Sequence, residues 1–299
     1  MNTFAQLKCA YRISFLKTQI LRKLSMSLAC RVNSQHTKEP LTLTTQEEGI
    51  RTICLNDPRK RNALSLAMLQ SLHNDLINDQ GKLRVIIIKA NGNVFSAGHD
   101  LKELTREKGI DYHEKVFSTC TNVMNLIQDL PVPVIAQVDG LATAAGCQLV
   151  ATCDIAVATE KSQFATPGVN VGLFCTTPGV AVGRSVPRKI AMEMLLTGYP
   201  ISAREALLYG LVSKVVPDDQ VEAEVVISFK TMKLAKRICE TSKEVTALGK
   251  KAFYSQISLE RKRAYRFAEQ IMVTNLTLDD GNEGIKAFIQ KRKPEWKQD

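Results

Sequence analysis

Two short segments of this 299-residue chain combine small residues, a titratable ring and backbone that must bend. They are 95–100, Phe-Ser-Ala-Gly-His-Asp, and 139–148, Asp-Gly-Leu-Ala-Thr-Ala-Ala-Gly-Cys-Gln. Small residues where a strand hands over to a helix let backbone N–H groups face a negatively charged oxygen, which is what an oxyanion requires. Neither segment has G-x-G-x-x-G or G-x-x-x-x-G-K-[ST] spacing, so phosphate-cradling loops fail at the level of spacing. On residue types alone, ordinary tight turns remain open. His99, with an ordinary pKa of about 6.5, is the side chain best suited to move a proton near neutral pH. Asp100 reads as a cap on the following turn, and Asp154 as a structural acid. Cys147 and Cys175 have no neighbouring base in sequence, and a buried thiol behaves as a small apolar group. Eight cysteines without a C-x-x-C pair, and four histidines in all, give no metal-site pattern.

These segments need strands before them and helices after them, and the hydrophobic pattern supplies both. Residues 50–56 form a β-branched run ending at the Asp57-Pro58 breaker. Ser65 caps an expected helix with Leu66, Leu69, Leu72 and Leu76 on one face, running to Gly81. Residues 84–90, RVIIIKA, suit a strand covered on both faces. A second helix is expected behind an Asp111/Glu114 capping box, burying Val116, Cys120, Val123, Met124 and Ile127. Strands at 134–138 and 154–158 flank a small-residue helix. Beyond Pro178 the pattern reads as helices over 180–195, 202–209, 219–239, 243–256, 260–275 and 280–291. With no linker, repeat or second apolar core, one α/β domain of about 260 residues is expected.

The net charge of +10 is distributed unevenly. Residues 1–38 hold seven Lys or Arg and no acid, leaving 33 bases against 30 acids in 39–299. Phe4, Leu7, Tyr11 and Phe15 fall at helical spacing beside Lys8 and Arg12, without a continuous apolar core of the secretory kind. A basic, acid-free, amphipathic leader reads as a mitochondrial matrix presequence; a basic disordered tail is the plainer alternative. The nearly neutral remainder gives no nucleic-acid signature, and no apolar run is long enough to span a bilayer.

FSAGHDLKEL at 95–104, PVPVIAQVDGLATAAGCQLVATCDIAVA at 131–158, SQFATPGVNVGL at 162–173, the G-x-P-I-S-A-x-E-A-x-x-x-G-L-V region at 198–212 and GIKAFIQKRKPEW at 284–296 carry a resemblance. Together they resemble the enoyl-CoA hydratase/isomerase, or crotonase, family over about residues 45–296. The resemblance implies an α/β spiral of repeated strand-strand-helix units over 45–220 and a C-terminal helical region over 221–299 that packs on neighbours as a trimer or hexamer. It implies acyl-CoA or enoyl-CoA as substrate or ligand, with no separate cofactor. The thioester oxygen is expected between the backbone N–H groups of His99 and Ala145. Coenzyme A is expected along Arg59, Lys60, Arg61, Asn62, Ala63 and Leu64, and along His99, Asp100, Leu101 and Lys102, with Lys291, Arg292 and Lys293 as further basic partners for its phosphates.

The same resemblance exposes a break. Hydratases of this family use two glutamates, at the positions of Gln148 and Gly168 here. An amide is no general base, and glycine has no side chain. Ala145 stands where a glycine is usual, which is harmless to its N–H if φ is negative. Asn170, Thr176 and Thr177 are expected to line the pocket near the second missing carboxylate. The expected function is acyl-CoA binding in fatty acid or lipid metabolism without ordinary hydration; the alternative is a lyase or isomerase using a displaced base such as His99. An open tunnel favours either, whereas Phe174 filling it favours a ligand-free structural subunit.

Overall fold

A computed structural model describes residues 39–217 and 223–297. The leader expected over 1–38 lies outside the described residues, as does the start of the helix expected from 219.

Strands β1 (Thr42–Glu47) and β2 (Ile50–Leu55) pair antiparallel and lead into helix α1 (Leu66–Ile77). Three turns of a spiral follow. Strand β3 (Val85–Ala90) is followed by β4 (Val94–Ser96) and helix α2 (Ile110–Asp129). Strands β5 (Val134–Val138) and β6 (Leu141–Thr143) precede helix α3 (Ala145–Thr152), and β7 (Ile155–Thr159) and β8 (Gln163–Ala165) begin the third turn. In each turn the first strand joins one sheet and the second joins another. The six-stranded sheet runs β1-β2-β3-β5-β7-β10 and the four-stranded sheet β4-β6-β8-β9, where β9 is Ile201–Ser202 and β10 is Lys214–Val216. From β2 onward the large sheet is parallel. This is the strand-strand-helix spiral that the resemblance implied.

The period-2 alternation of strands explains how the large sheet is covered. Ile86 and Ile88 of β3 face a core shared with Leu69, Leu72, Val123 and Ile127, whereas Val85 and Ile87 face the opposite side. There they meet Ile227 and Ala235 of helix α7 (Ala223–Cys239). The core expected over 45–220 is therefore joined in packing by β1 from Thr42 and by the first helix of the C-terminal region.

Three expectations are corrected. The first helix stops at Ile77 rather than near Gly81, where Asn78 turns to extended backbone at φ −63° and ψ 147°; buried Arg51 on β2 donates to the Asp75 carbonyl of the last turn at 2.8 Å and to the Asp79 carbonyl just beyond it at 2.6 Å. Helix α2 has no Asp111/Glu114 capping box; it starts at Ile110 behind Gly109 at φ 80°, leaving Asp111 inside the first turn. The helix expected over 180–195 is two, α4 (Thr176–Ser185) and α5 (Arg188–Thr197). Pro187 forces the break: Val186 before it is extended, at φ −122° and ψ 161°. The pattern also leaves out the strands β4, β6, β8, β9 and β10, which at two or three residues are too short to show a period, and β1, whose residues after Thr42 are all exposed and so carry no apolar alternation.

Helices α6 (Ala203–Tyr209), α8 (Lys243–Gln256), α9 (Arg261–Thr277) and α10 (Asp279–Ile289) complete the chain. The last two leave Tyr265, Met272, Val273, Phe288 and Ile289 largely exposed.

Candidate functional site

The two small-residue segments meet. Gly98 has φ +83°, and a Cβ there would stand 2.8 Å from the Ala144 Cβ and 3.1 Å from the Ala145 nitrogen. A Cβ on Gly146 would stand 2.5 Å from the Ser96 carbonyl oxygen. Both glycines are thus required by close approach of one turn to the other. Ala145 opens α3, so its N–H has no carbonyl one turn back to pair with, and the positive end of the helix dipole lies there. The left-handed strain falls on Ala144, at φ 48° and ψ −119°, not on Ala145. The condition placed on Ala145 is met.

Residues 57–64 are bolted to the first turn from below. The Leu64 N–H donates to the Gly98 carbonyl at 2.7 Å, and the Ala97 N–H to the Arg61 carbonyl at 3.0 Å. Asn62, fully buried, donates to the carbonyls of Asn91 and Val94 at 2.8 Å and accepts from the Asp57 N–H. The side chains of Asn62, Ala63 and Leu64 are spent on this packing, so this stretch offers a ligand backbone, not side chains. Arg59, Lys60 and Arg61 are exposed beside it, with Lys60 3.7 Å from Asp100. Asp100 caps the next turn, accepting from the Lys102 N–H at 3.0 Å, as its sequence position suggested. Glu103, which the sequence did not single out, accepts from the Leu66 N–H at 2.7 Å and from the Tyr112 hydroxyl at 3.1 Å. No local spacing signals that long-range cap.

A cavity of about 510 Å³ opens over the junction of the two turns, its wall including His99, Leu101, Ala145, Gly168, Asn170 and Thr176. Thr177 and Cys175 also reach it. Phe174 lies on the wall, 48% exposed, and does not fill the space. The basic side chains of residues 59–61 do not line it. Gln148 lies one turn along α3, buried beyond the wall, with its Oε1 unpaired.

The His99 Nδ1 lies 3.1 Å from the Leu64 carbonyl, which can only accept. The neutral ring therefore carries its proton on Nδ1 and presents Nε2 as an acceptor. Nε2 is buried without a partner, and the ring stands edge-on to Phe117 at 5.1 Å. Burial pushes the His99 pKa below its ordinary value, against the opposing pull of the Leu64 hydrogen bond. Burial likewise pushes the Cys147 thiol up to about 12 and raises Cys175, so neither is a thiolate at neutral pH.

Gly168 is also closely packed. A Cβ there would stand 2.3 Å from the Leu173 carbonyl oxygen and 2.8 Å from the Cys175 Sγ. The Gly168 N–H donates to that sulfur at 3.3 Å, and the Leu173 N–H to the Gly168 carbonyl at 2.9 Å.

Comparison with known proteins agrees with this geometry. Residues 45–299 match the family model described as enoyl-CoA hydratase/isomerase. The chain belongs to the enoyl-CoA hydratase/isomerase family. It is 62% identical over 264 residues to the mitochondrial enoyl-CoA hydratase domain-containing protein 3 of Xenopus laevis, covering 88% of this chain and 87% of the relative. It is 62% identical to the Mus musculus protein of the same name over 258 residues, 86% of this chain and 84% of that one. The crystal structure of human enoyl coenzyme A hydratase domain-containing protein 3 aligns with a TM-score of 0.82 at 60% identity, over 86% of this chain and all of that one. This family member is mitochondrial, as the composition of residues 1–38 suggested.

Proposed function

We propose that this protein binds acyl thioesters of coenzyme A in the mitochondrial matrix, in fatty acid or lipid metabolism, without ordinary enoyl-CoA hydration. The thioester oxygen is held by the His99 and Ala145 N–H groups, and the adenine and pantetheine portion follows the Arg59–Leu64 and His99–Lys102 turns. Gly168 is the observation that carries this reading. It has no carboxylate, and the Leu173 carbonyl and Cys175 sulfur occupy the space through which any side chain would leave. General acid–base groups contribute roughly 10²–10⁴ in rate, so a site with fixed dipoles and no such pair retains binding and loses turnover. Steady-state assay of 2-butenoyl-CoA is expected to give no more than a trace of 3-hydroxybutanoyl-CoA, while calorimetry detects binding of a saturated acyl-CoA. Hundreds of turnovers per second from clean protein would refute the proposal. Gly168→Glu together with Gln148→Glu is expected not to restore activity, because the loop must first move off residue 168.

A second reading rests on the unpaired Nε2 of His99. A neutral imidazole beside an oxyanion site is the group for taking a proton from the carbon next to the thioester, as a lyase or isomerase requires. Deuterium appearing at that carbon of a bound acyl-CoA in D₂O, and vanishing in His99→Gln with binding retained, distinguishes this reading from binding alone.

A further inference from the structure

The cavity wall carries information about the acyl group itself. Away from the two turns it is built from Leu101, Leu104, Phe117, Val171, Leu173 and Phe174, drawn from two separate stretches of chain. Five of these are conspicuously exposed: Leu101 55%, Phe117 37%, Val171 60%, Leu173 50% and Phe174 48%. Isolated exposed apolar side chains are ordinary, but five lining one cavity give it a mostly apolar mouth. None of the described residues lining the cavity is Asp, Glu, Lys or Arg. A charged group on the ligand would therefore lose its hydration without finding a counter-ion. At about 30 Å³ for a water-sized group, a cavity of about 510 Å³ has room for roughly a dozen methylenes.

We propose that the ligand is a long, uncharged acyl chain on coenzyme A, held between residues 101–117 and 171–174, and that these two apolar walls set chain-length preference. The inference rests on the coenzyme A thioester reading above, and the experiment separates the two. Affinities of the purified full chain are measured by calorimetry, below micelle-forming concentrations, for coenzyme A, butanoyl-, octanoyl-, dodecanoyl- and hexadecanoyl-CoA, octanedioyl-CoA and free hexadecanoate. Each fully buried methylene contributes up to about fourfold. Hexadecanoyl-CoA is expected to bind at least roughly 100-fold more tightly than butanoyl-CoA, with the gain flattening as the chain emerges. Octanedioyl-CoA is expected to bind at least roughly tenfold more weakly than octanoyl-CoA. The double variant Val171→Ser, Leu173→Ser, altering half-exposed side chains, is expected to weaken dodecanoyl- and hexadecanoyl-CoA by a larger factor than butanoyl-CoA; an equal factor for all three would count against these walls as the chain-length determinant. Equal affinities along the series, or octanedioyl-CoA binding as well as octanoyl-CoA, would overturn the inference while leaving the thioester reading standing. Binding of hexadecanoate equal to that of hexadecanoyl-CoA, with none of butanoyl-CoA, would overturn the thioester reading and keep the apolar channel.

Discussion

At the residue scale, two positions beside the junction of the turns carry measurable consequences. His99 is held neutral by burial, its pKa lying below the ordinary value. Between that folded pKa and about 6.5 the unfolded chain binds more protons than the native one, so this group's contribution to stability is present above 6.5 and lost as pH falls through the folded value. Urea unfolding at pH 7.5 and 5.5 is expected to show a smaller acid-induced loss in His99→Gln than in the natural chain; equal losses would contradict a buried neutral ring. Ala144 is the other position. Its φ of 48° with ψ −119° is backbone that glycine adopts freely and alanine does not. Relief of strain of about 1–3 kcal/mol, less the extra freedom of an unfolded glycine of about 0.4–1 kcal/mol, makes Ala144→Gly stabilising by about 1 kcal/mol. In thermal unfolding that is a rise of about 2–4 °C. A lower melting temperature would show that the Ala144 side chain contributes more by packing than its backbone loses.

At the element scale, one lysine ties the C-terminal helices to the spiral. Lys250 of α8 donates to the Ile127 carbonyl at the end of α2, to the Val132 carbonyl before β5 and to Asp154 before β7, at 2.7–2.9 Å. Asp154 also accepts from the Val134 N–H and the Tyr254 hydroxyl. The Lys250 and Asp154 side chains are 6% and 15% exposed. Burial lowers the lysine pKa and raises that of Tyr254. Removing one partner of such a pair strands the other charge, so Lys250→Met is expected to destabilise by about 3–5 kcal/mol in denaturant unfolding. Adding Asp154→Asn is expected to recover part of the loss; no recovery would mean that the carbonyl contacts of Lys250 dominate. The structural role expected for Asp154 is thus filled in detail, by partners 20 to 100 residues away that no local spacing reveals.

At the scale of the whole molecule, the exposed apolar residues of α9 and α10, Phe288 at 84% and Tyr265 at 73% among them, form a surface suited to burial against further copies. Light scattering is expected to give a mass of three or six chains, and a monomer persisting to about 100 μM would reject that assembly. The leader makes a separate prediction. A chain beginning at Glu39 is expected to stay outside mitochondria, whereas the full chain enters the matrix; equal import would remove the case for a presequence.

Much of this protein was legible in order along its sequence. The five buried positions of α2, the two-sided burial of β3 and the bounds of α8 follow from periodicity, because a residue's burial in a regular element repeats with that element's geometry. The family motifs likewise marked His99, Ala145, Gln148 and Gly168 by position. Tertiary structure alone decided what those positions face. The sequence leaves Gly168 merely without a side chain, whereas the fold drives the Leu173 carbonyl and Cys175 into the place where one would go. It leaves Asn62 and Leu64 as equal candidates for ligand contact, whereas the fold buries them as fasteners between turns. Periodicity records which residues turn inward; it holds no record of which distant carbonyl, sulfur or ring meets them there, because those contacts depend on how separate elements are brought together in space.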